Sequence, residues 1–504
     1  MKRGSITLYS CLVMGLLLCF TAAAIHSASV SAGRVVLASA LEQSVFSLFG
    51  EYDAELFERF GLLFLDAGRG KSTMQLQRLT DHTEEYASYI LDPQKKSVLP
   101  EHGLLEFHSQ KASLLAYTLA TDGGGAEFSE QVCRAMKESI PSAAAGTLKD
   151  TAEKQLETAS GQENQMNKSD IHSARNLYEH AKNADVSEED KSRMTADFSD
   201  AEIEAAEQIQ LGSEYQDPIA AASSAEKAGI LSLALPAGVS VSDASVETED
   251  LPSGRALQRG VGVIPAHSET IMDRVFLDEY AMNFLPYFTD CSGESGLQYQ
   301  VEYLIAGHPS DAENLKSVLE RLLAVREASN FSYLSLNSAR RAETLAAANA
   351  VCSAFLVPYL APAVAVAVRA AWAYAESIAD LRELLRGGKI PLVKTDASWK
   401  LSVGKLPEFL AEASSGIQEE GAAEKADASG LDYGGYLRIL LAVKPAAQLI
   451  SGLEDMVEHT MREVTGKPAF RIDCCVCAVN MELKAVLDGR ELTAAQYYRY
   501  GEAA

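Results

Sequence analysis

Two hydrophobic regimes follow one another at the start of the chain. From Ile6 to Ile25, twenty residues, nothing is charged; beyond His26 the apolar positions thin to Leu37, Leu41, Val45 and Leu48, spaced four, four and three apart. The first regime suits a helix surrounded by hydrocarbon, and its length is enough to cross a bilayer. The second is a single apolar stripe of helical period. No proline intervenes before Pro93. Residues 6–49 are therefore predicted as one helix, roughly 65 Å long at 1.5 Å per residue. Its first half would sit in lipid, anchored by Ile6, Leu12, Leu16, Leu17, Leu18, Phe20 and Ile25, and its second half would pack on a folded domain.

Lys2 and Arg3 precede the apolar run, so the charge rule puts the N-terminus in the cytoplasm and the bulk of the chain outside, as a single-pass membrane protein. Two other readings compete. Thr21-Ala22-Ala23-Ala24 offers small residues for signal cleavage. A lipoprotein would need a small residue where "LLLC" has Leu18, and "LYSC" precedes the apolar core instead of following it.

Further along, "EYDAELFERFGLLFLDAG" (51–68) predicts a helix end, a stop at Gly61 and a short strand. "HGLLEFHSQKASLLAYTLATD" (102–122) has β-type patches ending in Asp122-Gly123-Gly124-Gly125. Residues 126–225 are poor in large apolar side chains and read as solvated helices or a disordered insertion, and 235–254 as an extended linker. "LQYQVEYLIAG" (297–307) alternates like a strand. Residues 311–334 form an amphipathic helix with Leu315, Val318, Leu319, Leu322 and Leu323 on one face. Residues 342–388 form an Ala-rich helical hairpin broken near Pro358 and Pro362, closed by Gly387-Gly388. Within it, 351–368 is uncharged and is the one further candidate for a span, with a buried hairpin as the alternative. More helix is expected at 433–463 and a closing strand at 469–487.

The organisation is thus an anchor and helix extension (1–50), the first part of an external α+β domain (51–125), a polar insertion and linker (126–268), and a C-terminal α+β region (269–504). The fold class is α+β: a long N-terminal transmembrane and amphipathic helix packed on a small antiparallel sheet, with a largely helical remainder.

Composition changes little in this picture. The chain is 47% apolar, so a sizeable core is available, and its net charge of −26 argues against nucleic acid. Of eight cysteines only Cys474, Cys475 and Cys477 cluster, without a second ligand pair at zinc spacing; they read as structural residues of a core strand. "GLLFLDAGRGKST" (61–73) ends like a phosphate-binding loop, but the position five before Gly70 is Leu65, where G-x-x-x-x-G-K-[ST] needs glycine. It reads as a strand and a Gly-rich turn with two solvated cations. The nine histidines show no ligand spacing, and no G-x-S-x-G elbow is present. No cofactor or metal is expected.

One constellation could carry chemistry. Glu376 and Asp380 lie four apart on one helical face, a turn after Trp372. Paired carboxylates serve as acid and base when their surroundings split their pKa values. The alternative is a structural polar network with Arg326, Glu327, Asn330, Lys389 and Lys394.

"KRG-SITLYSCLVMG" resembles the start of prepilins and of tight-adherence (Tad) pilus pseudopilins: basic residues, a glycine, then an apolar helix. The resemblance implies cleavage after Gly4, leaving Ser5 first; Tyr9 stands where pilins usually carry glutamate. The runs "EYDAELFERFGLLFLDAG", "EYLIAGHPSDAENL", "LLAVREASNF", "WAYAESIADLRELLRGGKIPLVKT", "YGGYLRILL" and "FRID" resemble a family of uncharacterised membrane-anchored proteins of Gram-positive anaerobes, classed as a domain of unknown function (DUF5702) and often encoded beside Tad genes. That implies location and company: membrane lipid, and pilin-type or other envelope proteins packing on small residues such as Gly15, Ala22, Ala23 and Ala28. The expected role is a non-enzymatic pseudopilin-like component of a pilus or secretion apparatus. The alternatives are an extracytoplasmic hydrolase using Glu376 and Asp380, or a secreted surface-binding protein.

Overall fold

The computed structural model describes residues 3–92, 105–139, 198–211, 215–262, 271–291, 296–354, 360–415 and 430–501. Helix α1 runs unbroken over Arg3–Phe49. The two regimes of its sequence have two fates. Leu8, Leu12, Leu16, Phe20 and Ile25 are 63–70% exposed, whereas Leu37, Leu41, Val45 and Leu48 are fully buried. Burying each of these four is worth about 1.5–3 kcal/mol.

Helix α2 (Ala54–Phe60) is capped by the Asp53 carboxylate and stopped by Gly61, whose φ of 67° a side chain would resist. Strand β1 (Leu65–Asp66), helix α3 (Leu76–Leu91) and strand β2 (Phe107–Leu119) follow. Helix α4 (Asp122–Ser139) begins with three glycines at positive φ and then buries Phe128, Val132, Cys133 and Met136. The start of the expected polar insertion, 126–139, is therefore a packed helix; its apolar face is narrow, so average polarity hid it.

Then come α5 (Asp200–Gln208), α6 (Pro218–Ala228), α7 (Ile230–Ala234), α8 (Ile271–Phe284) and α9 (Gln300–Ala306). The expected strand at 297–307 is a correction: α9 is a helix ended by Gly307 at φ 78°. All six residues from Gln300 to Ile305 are buried, so no solvent face existed to reveal the period. Helix α10 (Asp311–Leu336) starts at the Ser310 cap and buries Leu315, Val318, Leu319 and Leu322. Helices α11 (Ser338–Ala354) and α12 (Ala361–Leu385) form the Ala-rich pair, and Val364, Val368, Trp372 and Ile378 lie in its core. Pro358 lies outside the described residues. Helices α13 (Leu406–Ser415), α14 (Tyr433–Ala442) and α15 (Ala446–Glu463) complete this stretch.

The chain closes with β3 (Cys475–Leu487) and β4 (Arg490–Arg499). β3 is central in an antiparallel sheet: β2 pairs along one edge, β1 and β4 along the other. Its alternate residues Val479, Met481, Leu483, Ala485 and Leu487 face the core shared with α1 and α3. The expected single closing strand is a hairpin, which β4 and the two-residue turn Asp488-Gly489 (φ 48° and 75°) complete.

Two compact units result, each discontinuous in sequence. One comprises Met1–Ser139, Thr248–Thr270 and Leu453–Ala504; the other comprises Ile140–Glu247 and Ile271–Gly452.

Candidate functional site

In the second unit, α10 places Arg326 and Asn330 one turn apart opposite Glu376, Ser377 and Asp380 of α12. Helix α12 ends because Gly387 takes φ 86° and Gly388 tucks against Glu383, where a Cβ would come within 2.2 Å of a carboxylate oxygen. The chain that follows folds back, so Lys394 enters the space between the two carboxylates with no exposure of its side chain.

Every charge is then matched. Lys394 Nζ bridges Glu376 Oε1 and, at 2.6 Å, Asp380 Oδ1. The same Glu376 carboxylate accepts the Lys400 and Leu401 amides at 2.9 Å each. Asp380 Oδ2 accepts from Arg326 Nε at 3.1 Å and from Asn330 at 3.3 Å. Arg326 also donates to the Pro391 and Leu392 carbonyls at 3.0 and 2.9 Å and to the Tyr436 hydroxyl at 3.1 Å, which in turn donates to the Ile390 carbonyl. Burial alone would raise the Asp380 carboxyl pKa, but the charges of Lys394 and Arg326 outweigh it and hold it below the ordinary value. Burial likewise disfavours the Arg326 cation, and Asp380 more than compensates.

Trp372 is fully buried, and its indole N–H and that of Trp399 both donate to the Leu401 carbonyl, at 3.1 and 2.9 Å. Trp399 stacks on Tyr333 at 5.0 Å and lies 5.3 Å from Lys394 Nζ. Glu327 is half-buried next to Arg326, and Lys389 is exposed. The constellation therefore brings together Arg326, Asn330, Trp372, Glu376, Asp380 and Lys394, and fixes residues 390–401 on α10, α12 and α14. Ser377, Tyr436 and Trp399 belong to it although the sequence reading did not single them out; the i, i+4 spacing of Arg326 and Asn330 was the visible signal, whereas Tyr436 arrives from far along the chain.

A second charge network lies in the first unit. Arg255 holds Glu458 and, at 2.7 Å, Asp473. Asp473 also accepts from Arg471 at 2.7 Å and from the Gln258 amide at 2.9 Å, and Glu458 takes Arg462 and the Ile472 amide. Burial pushes Asp473 up, but these donors and the Arg255 charge bring its pKa below the ordinary value. Glu454, four residues before Glu458, is buried with Oε1 lacking a partner; burial, then the neighbouring carboxylates, push its pKa well up. The "FRID" run (470–473) is the strand-side half of this network.

Cys474, Cys475 and Cys477 are buried free thiols, raised in pKa chiefly by burial. No group of residues able to hold a metal occurs among the described residues. In the Gly-rich turn Lys71 is exposed, but Arg69 is not a solvated cation: it pairs with Glu51, which also accepts from Tyr86 at 2.5 Å and lies 2.9 Å from His82 Nδ1. Gly4 and Ser5 fall within α1.

The model of a family of unknown function (DUF5702) matches residues 209–486. No curated protein and no solved structure matches the chain.

Proposed function

Since the chain belongs to this family of unknown function, whose model spans more than half of it, we propose a role from its own geometry: a non-enzymatic, membrane-anchored extracytoplasmic protein, acting as a pseudopilin-like component of a Tad or type IV pilus-like assembly. The observation that carries this reading is α1. It is the one described helix long and apolar enough to cross a membrane, its most apolar stretch is wholly unburied, and it continues without a break into the core of the first unit. A helix that is half unclothed and half domain core is suited to carry a folded unit at a membrane surface.

The partner side is supported by the upper half of α1, where Val35 and Phe46 remain 70% and 63% exposed on the helix that otherwise packs inward. Exposed apolar side chains beside the small residues Ala28 and Ala32 suit a second pilin-type helix. The structural role of Glu376 and Asp380 is supported by their complete burial and full ion pairing, which leave neither carboxylate open to a water or a substrate.

Mass measurement of the native N-terminus in isolated membranes tests the proposal. An intact start, or one at Ser5, with the chain in the membrane fraction is expected. A start near Ile25 in a soluble chain would favour the secreted alternative, since cleavage there removes the exposed apolar run and spares the core from Val30 onward.

A further inference from the structure

We propose that the tip of the β3–β4 hairpin, Asp488 to Glu491, rests on the bilayer surface and that this end of the first unit is a lipid-headgroup contact. The inference rests on the anchoring role of α1. Ser29 Oγ donates to Asp488 Oδ2 at 3.2 Å, and Val30 is the first buried side chain along the described part of the helix, from Leu8 onward. One turn on, a Cβ on Gly33 would lie 2.4 Å from Leu487 Cδ2 and 3.1 Å from Leu492 Cδ1. The glycine lets the hairpin lie directly against α1, so the tip is fixed at the height of residues 29–33.

That height is close to the lipid. The strongly apolar run ends at Ile25, after which His26 to Gly33 is rich in serine, and four residues of helix rise only about 6 Å. The headgroup layer is roughly 5–8 Å thick on each side of the hydrocarbon. A span that ends at Ile25 therefore brings the tip into that layer. The turn is a tight two-residue one, so the tip has little freedom to fold away. The exposed charges of the hairpin tip are mixed in sign, Arg490 between Asp488 and Glu491, so the contact is set by geometry and requires no anionic lipid. With α1 unbroken, a second point of contact would limit tilting of the unit on its stalk.

The test uses the full chain in phosphatidylcholine nanodiscs with tryptophan placed at exposed positions: E491W at the tip, Y497W at the far end of β4, and F20W in the span. Emission of the unsubstituted chain, from Trp372 and Trp399, is subtracted. With a nitroxide on the lipid headgroup, E491W should lose more than half of its added emission and Y497W almost none, since six residues of strand separate them by roughly 20 Å. With brominated acyl chains, F20W should be quenched. Quenching of F20W with E491W and Y497W equally affected or equally spared would overturn the hairpin contact alone. An unquenched F20W would remove the anchor, and the contact with it.

Discussion

Arg326, Lys394, Glu376 and Asp380 in the second unit are all dry, none with more than 1% of its side chain exposed. In the first unit's network the carboxylates of Glu458 and Asp473 are fully buried, while Arg255, Arg462 and Arg471 keep 13%, 20% and 18% of their side chains in solvent. The first arrangement is a two-cation, two-anion network that replaces water entirely. The second is a pair of sunken acids served from a wet rim by three arginines, with Glu454 left over. Dry charges depend on every partner, because an orphaned ion in the interior cannot recover its hydration. Rim charges can be replaced in part by water and by salt.

The largest effect should come from breaking the dry network. Lys394→Met leaves the buried Glu376 carboxylate without a cation and Asp380 with Arg326 alone, and should cost about 3–5 kcal/mol. Guanidinium unfolding of the detergent-solubilised chain reads this directly, because Trp372 and Trp399, the only two tryptophans, both touch the network's Leu401 carbonyl. A loss well under 1 kcal/mol would show that water reaches the site.

Arg255→Met should cost less, about 1–3 kcal/mol, since Asp473 keeps Arg471 and Glu458 keeps Arg462. Hydrogen exchange of the β3 amides measures it, and the difference from the unsubstituted chain should shrink as salt is raised. An effect as large as that of Lys394→Met, insensitive to salt, would erase the contrast between rim and interior.

Acidity separates the two kinds of buried acid. Asp380 and Asp473 have folded pKa values below the ordinary 3.8. Their contribution is present above that value and is lost as pH falls through and below it. Glu454 has the opposite sign. Its folded pKa lies above 4.5, so its contribution is present below 4.5 and is lost as pH rises from there toward the folded value. Both networks should therefore weaken in strong acid, whereas of these three acids Glu454 is the one whose term weakens toward neutrality. Glu454→Gln should raise the melting temperature at pH 7 and flatten that upper part of the profile. A lower melting temperature with an unchanged slope would mean that Glu454 is charged and partnered in the folded state.

The smallest expected change is Tyr436→Phe. It removes one acceptor from Arg326, which still holds two carbonyls, and should cost about 0.5–1.5 kcal/mol by the same tryptophan-monitored unfolding. A larger cost would place the hydroxyl among the network's essential partners.

Much of this was legible along the chain wherever one face of an element meets solvent. The stripe Leu37, Leu41, Val45 and Leu48 predicted the buried side of α1, and Leu315 to Leu322 that of α10. Legibility failed where burial is complete. Residues 300–305 are covered on all sides, so Val301, Tyr303 and Ile305 alternated by accident and suggested a strand. β4 was missed although Asp488-Gly489 is a hairpin dipeptide, because its strand carries small and polar residues that lack a strong alternation. Within the candidate site, Glu376 and Asp380 announced themselves by spacing. That both would be neutralised by one lysine could not be read from it.

The sequence alone determined the elements whose physics is local: an uncharged run long enough for a bilayer, and helix stops at Gly61 and Gly387. Tertiary structure alone decided which charges became partners. Arg255 and Asp473 stand 218 positions apart and Arg326 and Tyr436 stand 110 apart, and ion pairing depends on distance and burial in space, neither of which a local pattern encodes. It also decided which strand became the centre of the sheet: β3, near the C-terminus, completes a core that α1 opens near the N-terminus, because each leaves an apolar face that only the other can cover.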